Sequence, residues 1–222
     1  MKNEKIKLTL DDSNIVDAQT PLIVSASRAT DIPAFYSEWF FNRLGKGYVR
    51  WRNPYNGKDS YVSFDNTKFI VFWSKNPAPL FPFLPILKQK GIGCYVQYTL
   101  NDYEAEGLEP SVPPLHGRIE TFKRLVDELG LGSVVWRFDP LILTDRISAE
   151  DLLHKISNIA GELRGYVEKL VFSFADISSY RKVGRNLFEA GINYREWTED
   201  EMVEFSRRLA DMNLGLELAT CA

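Results

Sequence analysis

The chain has 222 residues, 45% of them hydrophobic and 26% charged, which is typical of one globular domain. No apolar run approaches the roughly 20 residues that span a bilayer, and no secretory leader precedes the first predicted strand, so we expect a cytoplasmic protein without a membrane partner. The formal net charge of -3 excludes a globally basic nucleic-acid binder. Two cysteines, Cys94 and Cys221, cannot form a disulfide framework.

Apolar runs of four to seven residues alternate with segments of helical periodicity, and this order predicts parallel strands joined by helices. The predicted strands of this kind are Pro21–Ser27, Phe69–Trp73, Cys94–Leu100, Val134–Phe138, Leu170–Phe174 and Leu214–Thr220. The first predicted helix begins near Asp31, and the others are Pro79–Lys90, Leu115–Leu129, Ala149–Leu163, Ser179–Ala190 and Thr198–Met212. Ser148 with Asp151, and Thr198 with Glu201, have the spacing of capping boxes.

Two short β-like pieces, Tyr48–Trp51 and Tyr61–Phe64, flank an NPYNG turn and predict a small β-hairpin inserted after the first helix. The chain has no sequence repeat and no linker rich in Pro, Gly or Ser, so we expect a single domain over residues 1–222. Six β/α units fit either a partial TIM-like (β/α)6 barrel or an open doubly wound sheet, because strand order is not visible in sequence. We take the partial barrel of six parallel strands as the prediction.

Polar residues end all of the predicted parallel strands, where ligands of β/α proteins bind. We expect catalytic roles for three of them: Asp31, Arg137 and Asp139. Substrate-binding roles are predicted for Ser25, Ser27, Arg28, Lys75, Asn76, Gln97 and Thr99. Two structural alternatives stay open, namely an ion pair of Arg137 and Asp139 with their neighbours and a helix cap at Thr30 or Asp31.

The arginines and Lys75 predict a small anionic substrate, since guanidinium groups bind carboxylate and phosphate in bidentate fashion. A metal-independent lyase or hydrolase would use Asp139 or Asp31 as its acid or base. A third interpretation is a nucleic-acid-binding module that uses the aromatic and arginine strip Tyr48–Arg52. The sequence contains no phosphate-binding glycine loop, and neither His116 nor His154 stands in a catalytic motif. The oligomeric state is not predicted.

The segments SASRATDIPAFYSEWFFNRLGKGYVRWRNPYN, IVFWSKNPAPL, YVQYTLNDYE, LEPSVPPLHGRIETFKRL, VVWRFDPLILTD and LATCA occur in this order along the chain. Together they resemble the signature blocks of the uncharacterised bacterial and archaeal domain-of-unknown-function family 1848. The resemblance implies a C-terminal cysteine cluster similar to the iron-sulfur motif of radical S-adenosylmethionine enzymes. Because the chain ends at LATCA, we expect that it lacks this segment.

The resemblance therefore predicts the barrel portion of an iron-sulfur, radical S-adenosylmethionine-like enzyme that acts on an anionic substrate. Cys221 is its one predicted metal ligand in this chain. An iron-sulfur cluster and S-adenosylmethionine are expected only in a full-length form, because three thiolates are needed to hold such a cluster with one iron open.

Overall fold

The computed structural model describes residues 5–26, 30–53 and 55–220. The fold is mixed α/β, and the chain divides into two compact units, residues 1–96 and 97–222. The boundary falls within the third strand, in chain order, of a six-stranded parallel sheet. The prediction of a single domain stays a prediction, and the two units are described one at a time.

The first unit contains a four-stranded sheet that is larger than the predicted hairpin. Its strands are β1 (Lys5–Thr9), β2 (Ile15–Gln19), β4 (Tyr48–Arg52) and β5 (Asp59–Ser63), in the order β1-β2-β5-β4. The predicted hairpin corresponds to the antiparallel pair of β4 and β5. β1 and β2 alternate exposed and more buried residues, which is the period-2 pattern of a half-buried strand.

Three further strands of this unit belong to the six-stranded sheet: β3 (Ile23–Ala26), β6 (Phe69–Ser74) and β7 (Gly93–Thr99), the last of which extends into the second unit. The helices are α1 (Ile32–Phe35), α2 (Ser37–Lys46) and α3 (Leu84–Gln89), with a 3-10 helix at Ala78–Phe83 before α3. The single helix predicted after Asp31 is thus broken at Tyr36.

The second unit continues the sheet with β8 (Val134–Leu141), β10 (Lys169–Phe174) and β12 (Glu217–Thr220). Two short strands, β9 (Leu143–Thr144) and β11 (Tyr194–Arg195), pair antiparallel. The helices are α4 (Leu115–Leu129), α5 (Ala149–Glu162), α6 (Arg181–Glu189) and α7 (Glu199–Asp211). Both predicted capping boxes are present, at Ser148 with Asp151 and at Thr198 with Glu201.

The two faces of the sheet in the second unit differ in chemistry because side chains alternate along each strand. One face carries the fully buried side chains of Tyr98, Trp136, Phe138 and Leu170, and the ring of Tyr98 stacks on Phe122 of α4 with centroids 5.8 Å apart. Burying these large apolar groups is the main source of stability for this unit. The opposite face carries the polar residues of β7, β8 and β10.

The six parallel strands lie in the order β12-β10-β8-β7-β6-β3, so strands that follow one another in the sheet also follow one another along the chain. The reversal that defines a doubly wound sheet is absent from these six strands. No closed barrel is seen among the described residues, since β3 and β12 each pair on one side only. The finer prediction of a partial TIM-like barrel is not confirmed. None of the described helices is both long and apolar enough to cross a membrane.

Candidate functional site

A buried ion pair lies at the carboxyl end of β8. The Arg137 side chain is 5% exposed, and its Nε donates a hydrogen bond of 3.1 Å to Oδ2 of Asp139. Nη2 of Arg137 donates to the same oxygen. Both residues project from one face of the strand because they are two positions apart. The predicted proximity of the two side chains is therefore observed, while their catalytic roles stay a prediction.

Neighbouring strands hold both members of the pair. Gln97 of β7 accepts a hydrogen bond of 3.2 Å from Nη1 of Arg137 through its Oε1. Ser173 of β10 donates its hydroxyl hydrogen to Oδ1 of Asp139. The guanidinium is thereby fixed from two directions, and each carboxylate oxygen of Asp139 has a donor.

The backbone beneath the pair is held by Asn101 and Tyr103, two fully buried residues that follow β7. Oδ1 of Asn101 accepts a hydrogen bond of 3.0 Å from the Asp139 amide, and its Nδ2 donates to the Asp139 carbonyl at 3.3 Å. The Tyr103 hydroxyl donates to the Pro140 carbonyl at 2.7 Å and accepts from the Ile142 amide at 3.1 Å. Burial raises the pKa of Tyr103, so its hydroxyl stays protonated as these bonds require.

The position of Asp139 suits contact with a ligand better than that of Arg137. The Asp139 side chain is 27% exposed, whereas the Arg137 side chain is 5% exposed. A carboxylate can accept about four hydrogen bonds. Arg137 supplies two and Ser173 supplies one. An oriented carboxylate with an exposed part can accept a proton or a hydrogen bond from a bound molecule.

Asp31, in the first unit, has a different environment. Its Oδ1 accepts a hydrogen bond of 2.9 Å from the Ala34 amide and so caps α1. Its Oδ2 accepts from the Ser74 hydroxyl at 3.0 Å and from the Lys75 amide at 2.8 Å. The helix-cap alternative is therefore observed, and Asp31 also fastens the end of β6 to the start of α1.

The remaining predicted site residues fall into two groups. Among those described, the exposed Ser25 accepts a hydrogen bond of 3.2 Å from the indole of Trp73, and the Asn76 amide donates to Ser74 at 2.9 Å. Thr99 is half-buried on the same face of β7 as Gln97. Their substrate-binding roles, like that of Lys75, stay predictions. Three others lie outside the described residues, namely Ser27, Arg28 and Cys221.

An iron-sulfur cluster does not fit the described part of the chain. No group of three or more His, Cys, Asp or Glu residues within it could hold a metal ion. Cys94 is its one cysteine, and burial raises the pKa of this thiol to about 11. A ligand of iron must be a thiolate, and a buried thiol with a raised pKa is the opposite of that state.

The strip predicted for nucleic acid is β4. Nη2 of Arg50 lies 3.1 Å from Oδ2 of Asp59 on β5, so a neighbouring carboxylate balances the charge of this arginine. Trp51, between the two arginines of the strip, is 46% exposed. An exposed aromatic residue on a strand suits base stacking, but the paired arginine leaves less charge for phosphate. The nucleic-acid role stays a prediction.

Asn101 and Ser173 also contact Asp139, and no functional role is predicted for either from the sequence, although one follows a predicted strand and the other lies near the end of one. Val171 of β10 pairs with Arg137, but the register with β8 shifts between Phe172 and Phe174, so counting along the strands does not place Ser173 beside Asp139. Such register is a property of the sheet, which the sequence does not show.

Comparison with known proteins gives one family. The model of a family described as Domain of unknown function (DUF1848) matches residues 23–222. A search of curated proteins gave no match.

Proposed function

The chain belongs to the domain-of-unknown-function family DUF1848, and we propose that its second unit carries the active site of an enzyme acting on a small anionic substrate. One observation carries this proposal: the Asp139 carboxylate is oriented by Arg137 and Ser173 yet keeps 27% of its side chain exposed. A group held in place by its neighbours but open on one side meets the geometric requirement for general acid–base catalysis.

In this proposal Asp139 accepts a proton from the substrate, or from a water molecule that attacks it, and later returns the proton to the leaving group. Arg137 is a positioning residue, because its guanidinium contacts the carboxylate rather than the exposed side of the site. Gln97 fixes Arg137 in turn. In a lyase or a hydrolase, Asp139 would supply this proton transfer, with the positive charge of Arg137 beside it.

Support for an anionic substrate comes from the charge of the buried guanidinium, although its nitrogens contact Asp139 and Gln97 rather than the open side of the site. The positive charge of Arg137 also reduces the repulsion that Asp139 alone would exert on an anion.

A second candidate, the barrel portion of an iron-sulfur radical enzyme, is supported by the sequential order of the six strands. This order is also the order of strands in β/α barrels. The described residues do not fit the cluster, and the whole sequence has only two cysteines. The candidate would therefore require thiolates from outside this chain, and no step of the proposed mechanism depends on it.

The test is a turnover screen of the purified chain with panels of small carboxylates and phosphate esters, followed by NMR of the substrates. We expect turnover that persists in EDTA and falls at least about 100-fold in Asp139→Asn, which is the typical contribution of a general acid or base. The Ser173→Ala variant should lose less, because it removes a positioning bond and leaves the carboxylate in place.

The matched control is Asp127→Asn, a change of the same kind on the exposed surface of α4. It should leave turnover unchanged. Turnover that survives in Asp139→Asn, or the absence of both turnover and saturable binding for every anion in the panels, would contradict the proposal. Turnover that requires an added iron-sulfur cluster would favour the second candidate instead.

A further inference from the structure

The backbone of β8 is irregular at Asp139. The register with β10 shifts there, so that two residues of β8, Asp139 and Pro140, lie opposite one residue of β10, Ser173. A bulge of this kind bends the strand and redirects a side chain, and bulges are common beside active sites. Pro140 also has no amide hydrogen to donate. The regular pairing with β10 therefore does not fix the backbone of Asp139.

Asn101 holds this backbone from the side of β7. The Leu100 amide donates a hydrogen bond of 2.9 Å to the Arg137 carbonyl, and the next residue along the chain is Asn101. From that point the Asn101 side chain takes the place of a neighbouring strand. Its Oδ1 accepts from the Asp139 amide at 3.0 Å, and its Nδ2 donates to the Asp139 carbonyl at 3.3 Å. One fully buried side chain thus binds both backbone groups of Asp139.

The Glu109 carboxylate determines which way the Asn101 amide points. Nδ2 of Asn101 also donates to Oε1 of Glu109 at 3.3 Å, and Nη1 of Arg118 lies 3.6 Å from Oε2 of the same carboxylate and balances its charge. A carboxylate only accepts hydrogen bonds and a backbone amide only donates them, so one orientation of Asn101 satisfies both neighbours. The reversed side chain would set Nδ2 against the Asp139 amide and Oδ1 against Glu109.

We propose that Asn101 is a positioning residue for Asp139 and that Glu109 fixes the orientation of Asn101. This inference rests on the proposed function, in which Asp139 is the acid or base. Because Asn101 is fully buried, it contacts no bound molecule and acts on the reaction through Asp139. The bonds of the Asp139 carboxylate to Arg137 and Ser173 depend on where the bulge places the backbone of Asp139, which is what Asn101 holds.

The first measurement needs no substrate. It follows hydrogen exchange at Nε of Arg137, which donates to Asp139, in ¹⁵N-labelled protein, and Arg137→Lys identifies the resonance. In Asn101→Ala we expect exchange at least about tenfold faster, because the backbone of Asp139 loses two buried hydrogen bonds. The matched control is Thr67→Val, which removes a buried bond of 3.2 Å to the Pro21 carbonyl in the first unit. Its exchange should differ from the wild type by less than about twofold.

Circular dichroism checks that the variants are folded. If Asn101→Ala is not folded, Asn101→Ser serves instead, since its hydroxyl can replace one of the lost bonds. The same acceleration of exchange, at least about threefold, is then expected at Nε of Arg137.

Two further variants test the role of Glu109. Asn101→Asp keeps an oxygen for the Asp139 amide but sets a carboxylate against that of Glu109, so exchange at Nε of Arg137 should be at least about tenfold faster. Adding Glu109→Gln supplies a donor to the new carboxylate and restores the total charge of the pair. We expect the double variant to exchange at least about threefold more slowly than Asn101→Asp. Equal exchange in the two would remove Glu109 from the proposal.

The last measurement uses a substrate that the turnover screen identifies. Asn101→Ala should lower kcat at least about tenfold, less than Asp139→Asn does, and change KM by less than about threefold, because Asn101 affects proton transfer and not substrate binding. Thr67→Val should leave both constants unchanged. A residue needed only for folding would leave the kcat of the folded enzyme as it is in the wild type.

The outcomes separate this inference from the proposed function. Unchanged exchange at Nε of Arg137 in folded Asn101→Ala would overturn the inference, whatever the turnover. Faster exchange with an unchanged kcat would overturn it as well, because the position of Asp139 would then not limit proton transfer. Faster exchange in a chain that turns over none of the anions would contradict the proposed function and would still support the positioning of Asp139 by Asn101.

Discussion

Asp31 and Asp139 make an informative comparison, because both are aspartates at the carboxyl end of a parallel strand or just after it, one in each unit. Asp31 accepts hydrogen bonds from two backbone amides and the Ser74 hydroxyl, and all three donors hold a helix start and a strand end together. Asp139 instead receives two bonds from a buried guanidinium and one from Ser173, and part of its side chain is exposed.

The difference teaches that position at a strand end does not define a role. An aspartate whose carboxylate accepts hydrogen bonds from backbone amides, as Asp31 does, has a structural role, because these bonds fix the local geometry of the chain. A carboxylate that is held by a buried cation and is partly exposed, as that of Asp139 is, can accept a proton or a hydrogen bond from a bound molecule. The two aspartates should therefore respond differently to substitution.

The largest effect on stability is expected for Asp139→Asn. Removing this charge leaves the guanidinium of Arg137 buried without its counterion, which costs about 3 kcal/mol in the free energy of unfolding. Urea unfolding at neutral pH measures the loss. The double variant with Arg137→Met should be more stable than the sum of the single effects predicts, because both charges are then gone. Additivity within about 0.5 kcal/mol would show that the pair is not coupled and would remove the contrast with Asp31.

A smaller effect is expected for Asp31→Ala. The change removes a helix cap and two further hydrogen bonds, and we expect a loss of about 1–2 kcal/mol in the free energy of unfolding with unchanged turnover at Asp139. Ser74→Ala is the partial comparison: it removes one of the three bonds to Asp31, together with the bond that Ser74 accepts from the Asn76 amide. A folded Asp31→Ala protein that has lost turnover would transfer the catalytic role to Asp31.

The third prediction, with the smallest effect at neutral pH, concerns the reactivity of the Cys94 thiol. Cys94 lies on the opposite face of β7 from Gln97. Because burial raises the pKa of its thiol to about 11, from an ordinary value of 9.0, little thiolate forms in the folded protein at pH 8. In a Cys221→Ala background, Cys94 should therefore react at least about 100-fold more slowly with a disulfide reagent in the folded protein than in urea. The reason is that the fraction of thiolate falls about tenfold for each unit by which the pKa rises.

The raised pKa of Cys94 also makes the free energy of unfolding depend on pH. The folded protein holds the Cys94 proton more tightly than the unfolded chain, so the contribution is fully present below about pH 9 and is lost as the pH rises towards 11. The free energy of unfolding should fall over this interval in the wild type and fall less in Cys94→Ala. Rapid reaction of folded Cys94 at pH 8 would contradict the burial of its thiol.

Much of the secondary structure could be predicted because it depends on local pattern. Leu115–Leu129 was predicted from apolar periodicity and is helix α4 with the same bounds, and both capping boxes are present. The break at Tyr36 and the four-stranded sheet were missed. In the sheet, β2 pairs with β5 through Ala18 and Tyr61, 43 residues apart in the chain, so the pairing depends on contacts that no local pattern contains.

For the candidate site, the sequence placed Arg137 and Asp139 on one face of a strand, because side chains alternate with a period of two. It left open whether Asp31 caps a helix or contacts a substrate, and it assigned nothing to Asn101. The Asn101 side chain bonds the Asp139 backbone across 38 positions of sequence, a contact that only the pairing of strands creates.

The sequence by itself therefore determined the order of the six parallel strands, most of the helices between them, two capping boxes and the polar character of the strand ends, because these follow from the chemistry of neighbouring residues. Only the tertiary structure decided which polar group is buried, which is exposed and which donors reach each carboxylate. Arg118 shows this clearly: it lies in the amphipathic helix α4, yet it is 1% exposed and lies beside Glu109, which precedes that helix. Charge, burial and hydrogen bonding act through space, so residues distant in sequence set the properties of each site.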